Sequence, residues 1–527
     1  MSCGRDKFLK GGFYRKLILH TEFSTYTIIV FFLKIFFPVL GFASTQVFIK
    51  SIILENATVI PEKEYQVLIS SYEGKYLSFS DIKEIAKKIT EWYLRKGYVT
   101  SKAYIPPQNL ENGVLRIKIV EGKVGRILVV GRHPRYSERY ILNFFKPLRE
   151  ERIFNQKILE RCLLLLNENL KLEASAELKK GQKPETTDVV VKVQSSFPYR
   201  LILNYNNWGS EYVGRDRYGL DIGFGNLILY GHTIDFVTIN SKRLSSYALS
   251  YNMPIGYKGW KAGFWYSAGD SNLGKELAVL NIKSYSTYVG IFISYPFMKS
   301  RNKELVFQGT LNYLYSKQTM LDQTTAKDKM SYLEIGFYYR KQKINSQNFF
   351  EFTITQGLGS LFGSVEEEYA SRYDASDTFT KFNFTFVRVQ RFSEKIFGLL
   401  RLKAQYSWDI LYSSQNFYIG GPISVRGFLQ TQYGGDSGFF LSSELRWAPF
   451  ERRNLLQFLI FLDTGTVFLN HPYKGQKTQR TLTGGGLGLR ANLPYNFHIS
   501  LDTAFPLSPG SDNGRDVNFY IKITKKF

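Results

Sequence analysis

The stretch Leu455-Leu456-Gln457-Phe458-Leu459-Ile460-Phe461-Leu462-Asp463-Thr464-Gly465-Thr466-Val467 decides the fold. Its period of two sets Leu456, Phe458, Ile460 and Leu462 on one face, the pattern of a strand with an apolar exterior. The other face carries Phe461, Asp463 and Gly465. A carboxylate there needs water or a counter-charge, so this face reads as lumen rather than packed core. The preceding run repeats the pattern, with Phe439, Leu441, Leu445 and Trp447 outward and Phe440, Glu444 and Arg446 inward. Two neighbouring strands, apolar outside and charged inside, are expected of a membrane barrel wall.

Working outward, the whole stretch 199–527 alternates in this way. Segments 200–205, 234–239, 285–295, 379–389 and 516–527 each switch apolar with polar between Gly, Asn, Pro or Lys turns. About sixteen such strands are expected, an even number, as bacterial barrels have. Connections at 268–283, 318–329, 360–376 and 409–437 read as long loops, and those at 299–303, 392–395 and 449–454 as tight turns. Tight turns on one side and long loops on the other predict that both barrel termini share the tight-turn side. Composition agrees: 36 Tyr, 43 Phe and 43 Gly stand against 2 Cys and 5 Met, as aromatic girdles and close strand packing require. Beyond residue 50 no apolar run is long enough for a spanning helix. A soluble β-sandwich is the competing reading on composition alone.

Ahead of the barrel, residues 48–194 mix helices and strands. The spacing predicts a helix over 81–96 with Ser80 as N-cap, Ile82, Ile85, Ala86, Ile89 and Tyr93 on one face and Gly97 as its stop. Strands are expected at 98–105 and 114–120, split by Pro106-Pro107 and turned by Asn112-Gly113. A second unit follows: a strand around Ile127 and Val129, helices at 138–145 and 156–170, and a closing strand through Val189, Val191 and Val193. Residues 1–43 run from basic (Arg5, Lys7, Lys10) through apolar to small (Gly41, Ala43), the order of a secretory signal peptide with cleavage after Ala43. A retained anchor is the alternative there.

The formal net charge is +24, but the cations are dispersed rather than gathered in one stripe, which argues against nucleic acid. Over 44–196 the 26 Lys and Arg against 18 Asp and Glu favour an acidic client only weakly. Cys3 lies in the leader and Cys162 stands alone on a helix, so no disulfide framework is expected. The five histidines show no metal-ligand spacing, and no Gly-rich phosphate loop occurs. No enzyme activity, metal or cofactor is expected.

Three sets of residues carry a resemblance. Gly97-Tyr98-Val99-Thr100-Ser101, Tyr104-Ile105-Pro106-Pro107-Gln108, Gly113-Val114-Leu115 and Glu121-Gly122 resemble the first polypeptide-transport-associated (POTRA) domain of the haemolysin-activator type. Val425-Arg426-Gly427-Phe428, after Gly420-Gly421-Pro422, is similar to the tip of the barrel loop shared by two-partner transporters and outer-membrane assembly proteins. Phe461-Leu462-Asp463-Thr464-Gly465 resembles that superfamily's Phe-x-Asp-x-Gly strand signature. The chain is thereby identified as a member of the two-partner secretion (TpsB) transporters.

The resemblance implies a mainly β protein with POTRA domains at 44–122 and 123–196 and a transmembrane antiparallel β-barrel at 197–527. It implies an outer-membrane pore that takes an unfolded exoprotein, of adhesin or haemolysin type, from the periplasm to the cell surface without a nucleotide site. Arg426 is expected to latch the loop into the lumen, with Asp463 and Glu444 as partners and Phe461 and Gly465 beside it. Gly97, Tyr98, Pro107, Gln108, Gly113 and Gly122 are the POTRA motif, and terminal Phe527 an assembly signal read by the barrel-assembly machinery. The expected partners are the exoprotein, that machinery and outer-membrane lipids, with the protein itself a monomer. An assembly or insertion factor of the same superfamily and a passive porin are the alternatives. One departure stands: family members carry a plug helix before the first POTRA unit, and only a few residues separate Ala43 from the strand at Phe48.

Overall fold

The computed structural model describes residues 46–363, 368–452, 455–509 and 516–527. The expected leader, its cleavage site and the question of a plug lie outside the described residues. Two compact units divide the rest: one holds the residues up to Glu55 with Val59–Ile89 and Ala103–Lys118, the other Asn56–Thr58, Thr90–Lys102 and Ile119–Phe527.

In the first unit the strand Ser51–Glu55 pairs in parallel with Val114–Val120, bringing Ile52 beside Leu115 and Leu54 beside Ile117. Leu115 and Ile117 are fully buried because alternate positions of that strand face the interior. The helix runs Phe79–Lys96, starting earlier than its expected bound. Its cap is Ser78, not Ser80: the Ser78 hydroxyl accepts from Asp81 N, and the Asp81 carboxylate accepts from Ser78 N at 2.8 Å, a reciprocal capping box. The Ser78 hydroxyl also donates to the Asp81 carboxylate at 2.6 Å, and this bond first, then the one from Ser78 N, holds the Asp81 carboxyl below its ordinary range. All five residues of the predicted helical face are buried. The strand expected at 98–105 shrinks to Lys102–Tyr104, because Gly97 turns the chain at positive φ and Ser101 N bonds back to Tyr98.

The second unit opens with a three-stranded sheet in which Thr186–Ser195 lies between Lys123–Val130 and Leu172–Lys180. No apolar alternation in the sequence marks Leu172–Lys180, because its Glu, Ser and Lys residues hide the period. Three helices replace the expected two: Glu138–Asn143, Lys146–Glu151 and Gln156–Leu166. Pro147 in the first turn of the middle helix separates it from the first. Val189, Val191 and Val193 are buried with Phe145, Phe154 and Leu166. Cys162 sits in this core, where burial pushes its thiol up to about 12, so it is an inert hydrophobe.

From Tyr199 the chain forms a closed barrel of sixteen antiparallel strands, shut where Asn518–Lys526 pairs with Tyr199–Asn206. Closure satisfies every edge, the condition for spanning lipid with strands. Along Leu456–Phe468, Phe458, Ile460 and Leu462 are exposed and Phe461 and Asp463 buried, as the alternation predicts. The connections depart from expectation in two places on the long-loop side, the first being the turn of Lys242 and Arg243 alone between Thr233–Ser241 and Leu244–Ile255. In the second, strands Lys303–Met320 and Gln323–Lys343 are joined by Leu321 and Asp322 alone, so 318–329 is not a loop. Only about 10 residues are needed to cross a bilayer, and the outer part of this hairpin is polar on both faces, which made it look like a loop. The 409–437 loop contains a small hairpin of its own, Phe417–Ile419 against Tyr433–Gly435.

The connectivity makes a labelling prediction. Cysteines placed at Asp322 and Lys474 should react with an impermeant maleimide on intact cells. Those at Arg301 and Ser393, and protease cleavage near Glu91 or Lys180, should require opened cells. Reaction of both sets from outside would overturn the arrangement.

Candidate functional site

The loop between the Ile396–Ser407 and Ser437–Trp447 strands carries the candidate site at its tip. Gly421 N donates to the Val425 carbonyl at 3.0 Å and Ser424 N to the Gly421 carbonyl at 3.1 Å, closing the tip on itself. Val425 and Phe428 are buried with Ile419, Phe440, Val467 and Leu482, a hydrophobic patch joining the loop to lumen-facing side chains of the wall. Gly427 takes φ +101°, a conformation that a side chain at this turn would strain.

These contacts place Arg426 where only 2 % of it is exposed. Its Nε and Nη2 donate to the two Asp463 oxygens at 2.7 and 3.0 Å, a bidentate fork, and its backbone N reaches the same carboxylate at 3.2 Å. Glu444 Oε1 lies 3.0 Å from Nη2 and Asp502 Oδ2 lies 3.6 Å from Nη1. The guanidinium carbon sits 3.4 Å from the centroid of the Phe461 ring, so cation–π attraction covers its flat face. A second rank of arginines balances these acids: Arg446 and Arg401 hold Glu444, and Arg490 holds Asp502 at 2.7 Å. Buried charge is tolerated here because each group is paired and hydrogen-bonded.

Small residues make the approach possible. A Cβ on Gly465 would lie 2.9 Å from Ile419 Cγ2 and 3.1 Å from Val425 Cγ2, so the glycine clears room for the loop. A Cβ on Gly484 would stand 1.9 Å from the Arg426 carbonyl oxygen. The last strand grips the tip as well. The Tyr520 hydroxyl accepts from Gly427 N at 3.2 Å, and Asn518 Nδ2 donates to the Gly427 carbonyl at 2.8 Å.

All eight lumen residues expected from the sequence, Val425, Arg426, Gly427, Phe428, Glu444, Phe461, Asp463 and Gly465, are thus brought together. Sequence reasoning missed Asp502, Arg490, Arg401, Gly484 and the use of Asn518 and Tyr520. Asp502 carried a usable signal, an acid on the inward phase of its strand.

The POTRA motif residues build local networks instead. Gln108 donates to and accepts from the Arg116 backbone at 2.8 Å, standing in for a strand neighbour. Gly113 turns at positive φ and its carbonyl accepts from Lys50 N at 2.7 Å. Gly97 accepts from Gln156 N, and a Cβ on it would lie 2.7 Å from Asn155 Oδ1. A Cβ on Gly122 would meet Thr100 Oγ1 at 2.4 Å. Beside Gly122, buried Glu121 accepts from the Tyr93 hydroxyl at 2.6 Å and from Thr58 N at 2.8 Å. Burial first, then that carboxylate, pushes the Tyr93 phenol well up. Tyr98 reaches Glu151 at 3.3 Å, while Pro107 is exposed. Phe527 is half exposed, and its N–H extends the closing ladder to the Leu201 carbonyl at 3.0 Å.

Residues 185–491 match the family described as haemolysin secretion/activation protein ShlB/FhaC/HecB, and residues 47–122 match the ShlB-type POTRA domain. The chain is 24% identical over 498 residues to the heme/hemopexin transporter protein HuxB of Haemophilus influenzae, covering 90% of this chain and 85% of that protein. It is 24% identical over 468 residues to the outer membrane transporter CdiB of Dickeya dadantii, covering 84% and 79%. The solved structure of CdiB from Escherichia coli shares the fold with a TM-score of 0.79 at 20% identity, covering 93% of this chain and 92% of that one.

Gly484→Ala tests the fit of the loop. The added methyl must displace the Arg426 carbonyl, at an expected cost of about 1–3 kcal/mol. Tip residues should become protease-sensitive from the lumen while the heat-modifiable barrel band persists. An unchanged digestion pattern would contradict the packing.

Proposed function

As a member of the haemolysin secretion/activation protein ShlB/FhaC/HecB family, to which this chain belongs, the protein is an outer-membrane transporter of two-partner secretion. We propose that it passes one unfolded exoprotein through a lumen held shut by the Arg426 loop. The observation that carries this reading is the bidentate Arg426–Asp463 pair on a loop folded inside a closed barrel. A passive porin has no use for a buried, five-contact arginine across its lumen. The family assignment favours transport of a partner over insertion of other barrels, and over enzyme chemistry.

The POTRA units, with limits near 44–122 and 123–196, act as the receptor. The strand Leu172–Lys180 is an edge of its sheet and largely exposed, so an extended passenger can add to it through main-chain hydrogen bonds that demand little of sequence. Arrival of the passenger displaces the Arg426 loop, and water entering the lumen takes over solvation of the separated charges. The pair is strong while dry and weak when wet, which suits a latch. Folding of the passenger outside then biases the direction of movement. The passenger is a secreted exoprotein of adhesin or haemolysin type. The transporter works as a monomer, and terminal Phe527 serves as the signal for its assembly into the outer membrane.

Two experiments test the reading. Arg426→Ala and Asp463→Ala should each abolish or severely reduce secretion at matched barrel levels: the first leaves buried Asp463 without its counter-charge, a cost of roughly 3–5 kcal/mol, and the second removes the bidentate fork, although Glu444 and Asp502 still face Arg426. Normal secretion by both would remove the latch and leave only the fold. Deletion of residues 44–194 should leave an inserted barrel that no longer secretes its partner, and parental secretion by it would show that the receptor lies elsewhere.

A further inference from the structure

The chain enters the barrel through the joint 195–199, and an uncommitted group of side chains gathers there. Tyr199 is the first residue on the lipid-facing phase of its strand, with Phe197 just before it; both rings are exposed. Two cations of the preceding α+β unit lie on these rings: the Arg135 guanidinium carbon is 5.0 Å from the Phe197 centroid, and Lys171 Nζ is 5.4 Å from that of Tyr199. Backbone bonds tie Lys171 and a third basic residue, the exposed Arg132, to the joint: Ser196 N donates to the Lys171 carbonyl at 3.1 Å and Ser195 N to the Arg132 carbonyl at 2.9 Å. Among the described residues no carboxylate forms an ion pair with Arg132, Arg135 or Lys171, and none of the three takes part in the lumen site.

The next turn, 226–232, joins the same group. Gly225 N donates to the Pro198 carbonyl at 2.7 Å, and Asn226 Nδ2 donates to the Arg135 carbonyl at 3.3 Å. From there Leu227, Ile228 and Leu229 run consecutively outward, at 58, 63 and 62% exposure. Three successive exposed aliphatic residues in a seven-residue connection are costly in water, whereas at the edge of a bilayer they continue the apolar belt already formed by Phe224 and Phe236. Aromatic rings at the strand ends mark headgroup height. Cations resting on those rings, with aliphatic side chains beside them, are therefore at the level of phosphate groups.

We propose that Arg132, Arg135 and Lys171, with Phe197, Tyr199 and the 227–229 turn, form a binding site for an anionic phospholipid of the periplasmic leaflet. The phosphate pairs with the cations, the acyl chains lie on the aliphatic turn, and the second α+β unit is moored to the membrane surface beside the pore. This rests on the outer-membrane assignment but not on the latch. Each cation near an anionic surface contributes about fivefold in affinity.

The test uses the full chain in detergent, titrated with short-chain phosphatidylglycerol or phosphatidylcholine and read by native mass spectrometry. The wild type should retain phosphatidylglycerol at least tenfold more tightly than phosphatidylcholine. Arg132→Gln/Arg135→Gln/Lys171→Gln should lose that preference while keeping its heat-modifiable barrel band. Leu227→Ser/Ile228→Ser/Leu229→Ser should weaken both lipids alike. Inorganic phosphate that displaces the lipid at equal concentration would reduce the site to a free-anion site and overturn the proposal. So would an undiminished preference in the triple glutamine variant, or photo-crosslinking from position 228 to the exoprotein instead of lipid.

Discussion

A guanidinium taken out of water must be surrounded by acceptors, and this requirement organises the barrel interior. The carboxylates of its own loop are committed elsewhere, Asp436 to Arg372 and Leu411 N and Asp409 to Thr380 N, so Arg426 must find its acids on the wall. Its acids come from three different strands, in the order Glu444, Asp463 and Asp502. Those strands must therefore hold a fixed register, and closure of the hydrogen-bonded ring fixes it: Ser442 opposite Asp463, Gly488 opposite Asp502. A slip of one residue would turn all three acids toward lipid. The lumen ion cluster and the strand pairing thus support each other, and neither is a free choice of the sequence once the other is set.

Much of this was legible beforehand because a strand in a membrane wall has only two faces. The alternation of Phe458, Ile460 and Leu462 with Phe461 and Asp463 assigns every residue of that strand to lipid or lumen. The neighbouring Glu444 follows from the same parity. Less legible was anything that depends on which lumen residues meet across the barrel. Asp502 and Arg490 sit on later strands with no local motif, and only ring closure brings Asp502 to Arg426. Gly484 lies in a run of three glycines, and nothing in that run says which one the Arg426 carbonyl will approach.

The misreadings in the amino-terminal region have a related cause. Ser78 and Ser80 are both acceptable caps, and the choice between them was made by Asp81, which returns a bond to the Ser78 amide. The strand Leu172–Lys180 was hidden because only one of its residues is buried, so no apolar period marks it. The hairpin around Leu321 and Asp322 looked like a loop because strands that continue past the bilayer lose the apolar phase while keeping their backbone bonds. Hydropathy reports the solvent of a strand, not its existence.

The grip of Asn518 and Tyr520 on the loop tip has a bearing on closure of the wall. These two residues belong to the strand Asn518–Lys526, which pairs with Tyr199–Asn206 to complete the ring. That strand supplies two of the hydrogen-bond partners of the tip, beside the acids that the other strands bring to Arg426. The seat of the loop is therefore complete only where the ring is complete: the pairing that closes the wall also supplies the hydrogen bonds that hold the loop tip inside it.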